Sequence, residues 1–190
     1  MTRTFGNFVG KDENAQDYLV IVFRPSSLPL QQRWRNNGLS ADFLADYVTT
    51  FFPAENDEAL HRQIEAKDAV SYISNELLEN AMKFSYEPAM QPVSIDLHLR
   101  QNNLRFYVSN GANPMMTEEF QGYIQEMLTN DPDDLYMRQL ESNATDDNGQ
   151  SHLGYLTMMT SYNAELAWKF ETMQGDTEYV MVTTMVQLSL

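Results

Sequence analysis

The sequence contains no cysteine. Disulfides, thiolate catalysis, cysteine-ligated zinc and iron–sulfur clusters are therefore excluded. Basic residues are also scarce: 12 Lys and Arg stand against 27 Asp and Glu, for a formal net charge of −15. A nucleic-acid backbone and an anionic membrane both require a cationic face, so neither is an expected partner. The balance still leaves room for one basic pocket within an acidic surface. Histidine is limited to His61, His98 and His152, scattered without metal-ligand spacing. No apolar run approaches the ~20 residues that span a bilayer. The opening M-T-R-T-F-G-N-F has no signal-peptide core, so a cytoplasmic location is expected.

What is present is enough for a folded core. The chain has 190 residues, 43% of them hydrophobic and 12% aromatic, which fits a globular domain rather than a disordered one. We expect an N-terminal arm over 1–16 and a single domain over 17–190. Asp17 to Phe23 (D-Y-L-V-I-V-F) reads as a strand, ended by the prolines of R-P-S-S-L-P. A helix is expected from Ser40, an N-cap residue, to the stop at Pro53. Its apolar face (Phe43, Leu44, Tyr47, Val48, Phe51, Phe52) suits a core or a dimer surface. The pattern stays helical from about Asp57 to Ser85.

Beyond that helix the periodicity changes. Pro92 to Arg100 and Leu104 to Ser109 alternate apolar with polar residues and read as a hairpin. Asn110 to Pro114 reads as a loop. Thr117 to Thr129, Asp133 to Glu141 and His152 to Tyr162 read as helices, with a polar loop over Ser142 to Ser151. Ala164 to Met173 and Thr177 to Leu190 read as a terminal hairpin. Helices grouped against a mixed, mostly antiparallel sheet give an α+β two-layer sandwich.

The most informative stretch is Ile73 to Ser85, I-S-N-E-L-L-E-N-A-M-K-F-S. At about 100° per residue, Glu76, Asn80 and Lys83 fall within roughly 60° of one another on a helix. Val70, Ile73, Leu77, Ala81 and Phe84 form the adjoining apolar arc. An Asn carbonyl suits Mg²⁺, which is usually held by few protein groups plus phosphates and water. A Glu one turn earlier can accept a proton, and a Lys one turn later can meet phosphate. On spacing alone, the same pattern also describes the solvated stripe of an ordinary amphipathic helix.

E-L-L-E-N-A-M-K-F-S resembles the N box of the GHKL ATPase superfamily. The resemblance implies Glu76 as base or water-orienting group, Asn80 as Mg²⁺ ligand and Lys83 as a phosphate contact. It also implies a Bergerat-type fold and ATP with Mg²⁺ as cofactors. The family's second box, D-x-G-x-G, falls on Ser109-Asn110-Gly111-Ala112-Asn113, where Gly111 is kept and the adenine-reading Asp is absent. Ser109 or Asn110 then takes the place from which adenine would be contacted. The third, glycine-rich box falls on Gly149 to Tyr155. There Gly149, Leu153 and Gly154 match, while His152 fills one glycine position.

The chain most resembles the SiaB-like branch of small GHKL serine/threonine kinases, cousins of the anti-sigma-factor kinases of bacterial partner switching. This implies phosphorylation of a Ser or Thr hydroxyl on a small antagonist-type partner protein, and a homodimer. Two readings stay open. Retention of all three N-box groups favours an active kinase. The missing Asp and His152 favour a degenerate binding module that regulates its partner without nucleotide turnover. A chance resemblance in an unrelated α+β protein is the third possibility.

Overall fold

The computed structural model describes residues 1–11, 17–24, 34–100, 103–145, 153–175 and 177–189. Its strands are β1 (Thr2–Phe5), β2 (Asp17–Phe23), β3 (Val93–Leu99), β4 (Asn103–Ala112), β5 (Glu165–Met173) and β6 (Tyr179–Ser189). Its helices are α1 (Trp34–Thr49), α2 (Asp57–Lys83), α3 (Pro114–Thr129), α4 (Pro132–Thr145) and α5 (Leu153–Ser161). The six strands form one sheet in the order β1-β5-β6-β4-β3-β2, and each described pairing is antiparallel. The result is the α+β two-layer architecture expected from the sequence.

Alternation along the strands decides which face meets the helices. Leu104, Phe106 and Val108 of β4 are buried with Val182, Val186 and Leu188 of β6 in the main core. From α2 they meet Val70, Ile73, Leu77 and Ala81, four of the five residues of the expected apolar arc. The fifth, Phe84, is half-buried just beyond the helix end. On α1, Leu44 and Val48 are buried, Tyr47 packs against the core and Phe43 is exposed, while Phe51 and Phe52 pack against the core just beyond the helix end.

The opposite sheet face is partly covered by the segment after β1. There Tyr107 Oη donates to the Gly10 carbonyl at 3.1 Å, and Lys11 Nζ pairs with Asp96 at 2.6 Å. Tyr107, Ala167 and Met185 form a small second core beneath Phe8 and Val9.

Of the boundaries that differ from the sequence reading, two have a clear physical cause. Helix α1 begins at Trp34 rather than Ser40. Asn37 and Ala41 are both buried, so packing holds the extra turn that local capping signals would have omitted. Strand β4 continues through Asn110, Gly111 and Ala112, where a loop was expected. Those residues pair with Val182, Met181 and Val180 of the longer β6, and that ladder overrides the turn preference of Asn-Gly.

Candidate functional site

Helix α2 carries the first half of the site. Asn56 caps it: its side-chain oxygen accepts the Ala59 N–H at 2.8 Å, and Asp57 and Glu58 occupy the first turn. Lys83 is its last residue, where a cation complements the helix dipole. The buried arc fixes the rotation of the helix. Its polar stripe consequently runs along the rim of a cavity of about 220 Å³.

The cavity floor is the inward face of β4 and β6, represented by Val108, Asn110, Val182 and Thr184. Leu77, Asn80, Ala81 and Lys83 of α2 form one wall. Met116, Thr117, Phe120 and Tyr123 of α3 form the opposite wall, and Gly154 and Tyr155 of α5 close an end. Phe120 packs against both the Tyr155 ring, at 6.0 Å, and the Trp168 ring, at 6.4 Å, which ties α3 to the core.

Four predicted positions from three separate boxes thus meet at one cavity: Asn80 and Lys83 from α2, Asn110 from β4 and Gly154 from α5. Asn80 is half-buried and Lys83 exposed at the mouth, with Nζ 5.5 Å from the Phe84 ring centroid. Asn110 is only 7% exposed.

Glu76 is half-buried beside the cavity, and its position explains Gly154. A Cβ added at Gly154 would collide with Glu76 Oε2, so a side chain at this position would displace the carboxylate from where it lies against α5. Burial raises the Glu76 pKa above the ordinary carboxylate value, and the negative charge of Glu79 raises it further.

The remaining predicted positions are placed differently. Gly111 turns to the other face of β4, where an added Cβ would press on Gln91 and Tyr179. Its carbonyl accepts the Tyr86 N–H at 2.8 Å, a structural role outside the cavity. Leu153 is the first residue of α5 and does not line the cavity. Gly149 and His152 lie outside the described residues, as does much of the expected polar loop.

No protein-family model and no curated protein sequence matches the chain. Among solved structures, it is similar to a chain in the crystal structure of the SiaB–SiaC complex from Pseudomonas aeruginosa. The two align with a TM-score of 0.56 at 14% identity, over 90% of this chain and 89% of that one. The likeness is one of fold.

Within this SiaB-like fold, several cavity residues were absent from the sequence reading. Tyr155 is buried, and that burial pushes its pKa up to about 12, opposed by a hydrogen bond with Thr184. It is therefore a neutral hydrogen-bonding group at physiological pH. Thr184 had a legible signal: it is polar at an inward position of β6, between Val182 and Val186. Asn110 carries the same signal on β4, following Leu104, Phe106 and Val108. The α3 wall had none, because its residues come together only when the helix folds back over the sheet.

Proposed function

We propose that this protein is a GHKL-type signalling kinase that uses ATP and Mg²⁺ to phosphorylate a Ser or Thr hydroxyl on a small antagonist-type partner protein. The observation that carries this reading is the meeting of Asn80, Lys83 and Asn110 at one cavity, with Glu76 packed against Gly154 beside it. The fold likeness to a chain of the two-protein SiaB–SiaC complex supports a role exercised on a partner protein.

The donor set fits a magnesium nucleotide. Apolar and aromatic walls suit a flat base, and Asn80 and Lys83 stand together at the mouth where phosphates would reach solvent. Among the described residues no group of three or more His, Asp or Glu is placed to hold a metal. Mg²⁺ held by the Asn80 carbonyl and the phosphates themselves requires none. Bound Mg·ATP supplies the transferable phosphoryl group and the positive charge that offsets the phosphates.

The chain's own groups do the positioning. Lys83 holds a phosphate as a point charge, and Asn80 orients the metal. Glu76 takes the proton of the attacking hydroxyl. Its raised pKa makes it a stronger base than an exposed carboxylate.

A second reading is the binding module without turnover. The missing adenine-reading Asp favours it, because the second box offers Ser109 and a neutral carboxamide at Asn110 in place of a carboxylate.

Calorimetric titration with ATP and ADP, with and without Mg²⁺, separates the two. We expect magnesium-dependent binding in the wild type and at least about a tenfold loss in Asn80→Ala, with the fold unchanged by circular dichroism. Phosphotransfer to a partner should disappear in the same variant. Undiminished magnesium-dependent binding by Asn80→Ala would sink the site assignment. No binding at millimolar nucleotide would leave the binding module as the surviving reading.

A further inference from the structure

The polar groups of the cavity differ in what they have left to offer a ligand. Thr117 Oγ1 already donates to the Pro114 carbonyl at 2.7 Å, and Asn113 Oδ1 accepts the Met115 N–H at 2.9 Å. Thr184 is engaged with Tyr155. Lys83 and Glu119 sit at the exposed mouth. Two further carboxamides line the cavity, Asn80 on the α2 rim and Asn110 on the sheet floor. Asn110 is more than nine-tenths buried, lines the cavity, and makes no side-chain hydrogen bond to any described residue. Its carboxamide opens onto the cavity, so its donor and acceptor are available to what enters.

Its chemistry states what that match must be. A carboxamide presents one acceptor beside one donor. The pairing edge of adenine presents a donor, the 6-amino group, beside an acceptor, N1. Guanine presents the reverse, an acceptor at O6 beside a donor at N1. With no neighbour fixing its orientation, the Asn110 amide can turn about its terminal torsion and make two hydrogen bonds to either edge. A carboxylate at this position would present acceptors only. It would accept once from the adenine amino group but twice from guanine, at the N1 N–H and the 2-amino group. Pyrimidines show similar edges on a single ring, which would leave the apolar walls uncovered.

We propose that Asn110 is the base-contacting, specificity-determining residue of this cavity and that it admits adenine and guanine nucleotides alike. The proposal rests on the nucleotide reading of the site given above, and makes that site a general purine-nucleotide site.

The test is titration of the full-length protein with Mg·ATP and Mg·GTP, in the wild type, Asn110→Asp and Asn110→Ala. We expect wild-type dissociation constants within about threefold of each other. In Asn110→Asp the balance should move toward GTP by about tenfold or more, the discrimination of one paired edge. Asn110→Ala should weaken both nucleotides by similar factors, and it still reports if the Asp variant fails to fold. Wild-type binding of ATP 100-fold or more tighter than GTP would overturn the proposal while leaving the nucleotide site intact. An ATP-to-GTP ratio unchanged in Asn110→Asp, with full affinity kept in Asn110→Ala, would remove Asn110 from base recognition. Failure of the wild type to bind either nucleotide would overturn both this proposal and the nucleotide reading.

Discussion

At the scale of the residue, Glu76 is where stability and function pull against each other. Burial and the neighbouring charge of Glu79 both disfavour its ionised form, so its folded pKa lies above 4.5. A carboxyl with a raised folded pKa contributes its full stability below the unfolded value. That contribution is lost as pH rises through the folded pKa. The cost is therefore present at neutral pH, where the proposed base must be ionised to work. Replacing Glu76 with Gln keeps the shape and removes the charge. We expect the variant to be more stable than the wild type at pH 7, by less than about 1 kcal/mol because the site is part-solvated. The two should converge as pH approaches 4. Paired thermal melts across that range check this, and a variant less stable at pH 7 than at pH 4, relative to wild type, would contradict the assigned cause. Phosphotransfer by the same variant should fall sharply, because Gln cannot accept the proton.

At the scale of the element, α2 had to be stable before it could present the stripe. Its N-cap is an exposed hydrogen bond, from Ala59 N–H to the Asn56 side chain, more than four turns from Asn80. Asn56→Ala should lower stability by about 1 kcal/mol. Nucleotide affinity should stay within about twofold, since no cavity residue is touched. Chemical denaturation measures the first, and titration of the same sample measures the second. A large loss of affinity would show that the helix start is coupled to the site.

The same helix marks how far the sequence could be read. Its length, rotation and polar stripe followed from local pattern alone, since a buried arc at helical spacing admits only one orientation. Most strands were equally legible from their alternation. The end of β4 was not. Asn110 and Gly111 carry turn chemistry, and only the presence of β6 alongside turns them into ladder residues. That error mattered for the site, because strand geometry sends Asn110 into the cavity and Gly111 away from it. The α3 wall depended entirely on tertiary placement. Gly154 was expected at the site only through a resemblance, and its approach to Glu76 appears only when α5 lies against α2.

At the scale of the whole molecule, the dominant feature is unbalanced charge. With 27 carboxylates and 12 Lys and Arg, ion pairing leaves a net −15 whatever its geometry. Lys67 and Asp46 form an exposed pair at 2.7 Å, and such pairs contribute little in water. Long-range repulsion among the surplus carboxylates acts on the compact state and is absent from any list of contacts. Salt weakens both terms, but the repulsion has more to lose. Screening reaches only about 3 Å at 1 M against roughly 30 Å at 0.01 M. If relief of repulsion exceeds lost ion pairing by about 1 kcal/mol, the thermal midpoint should rise by roughly 2–4 °C between 10 mM and 0.5 M sodium chloride at pH 7. The rise should shrink as pH falls toward 4 and the carboxylates begin to protonate. A midpoint that falls with salt at pH 7 would mean that local ion pairs such as Lys11 with Asp96, whose carboxylate is nearly buried, outweigh the net charge.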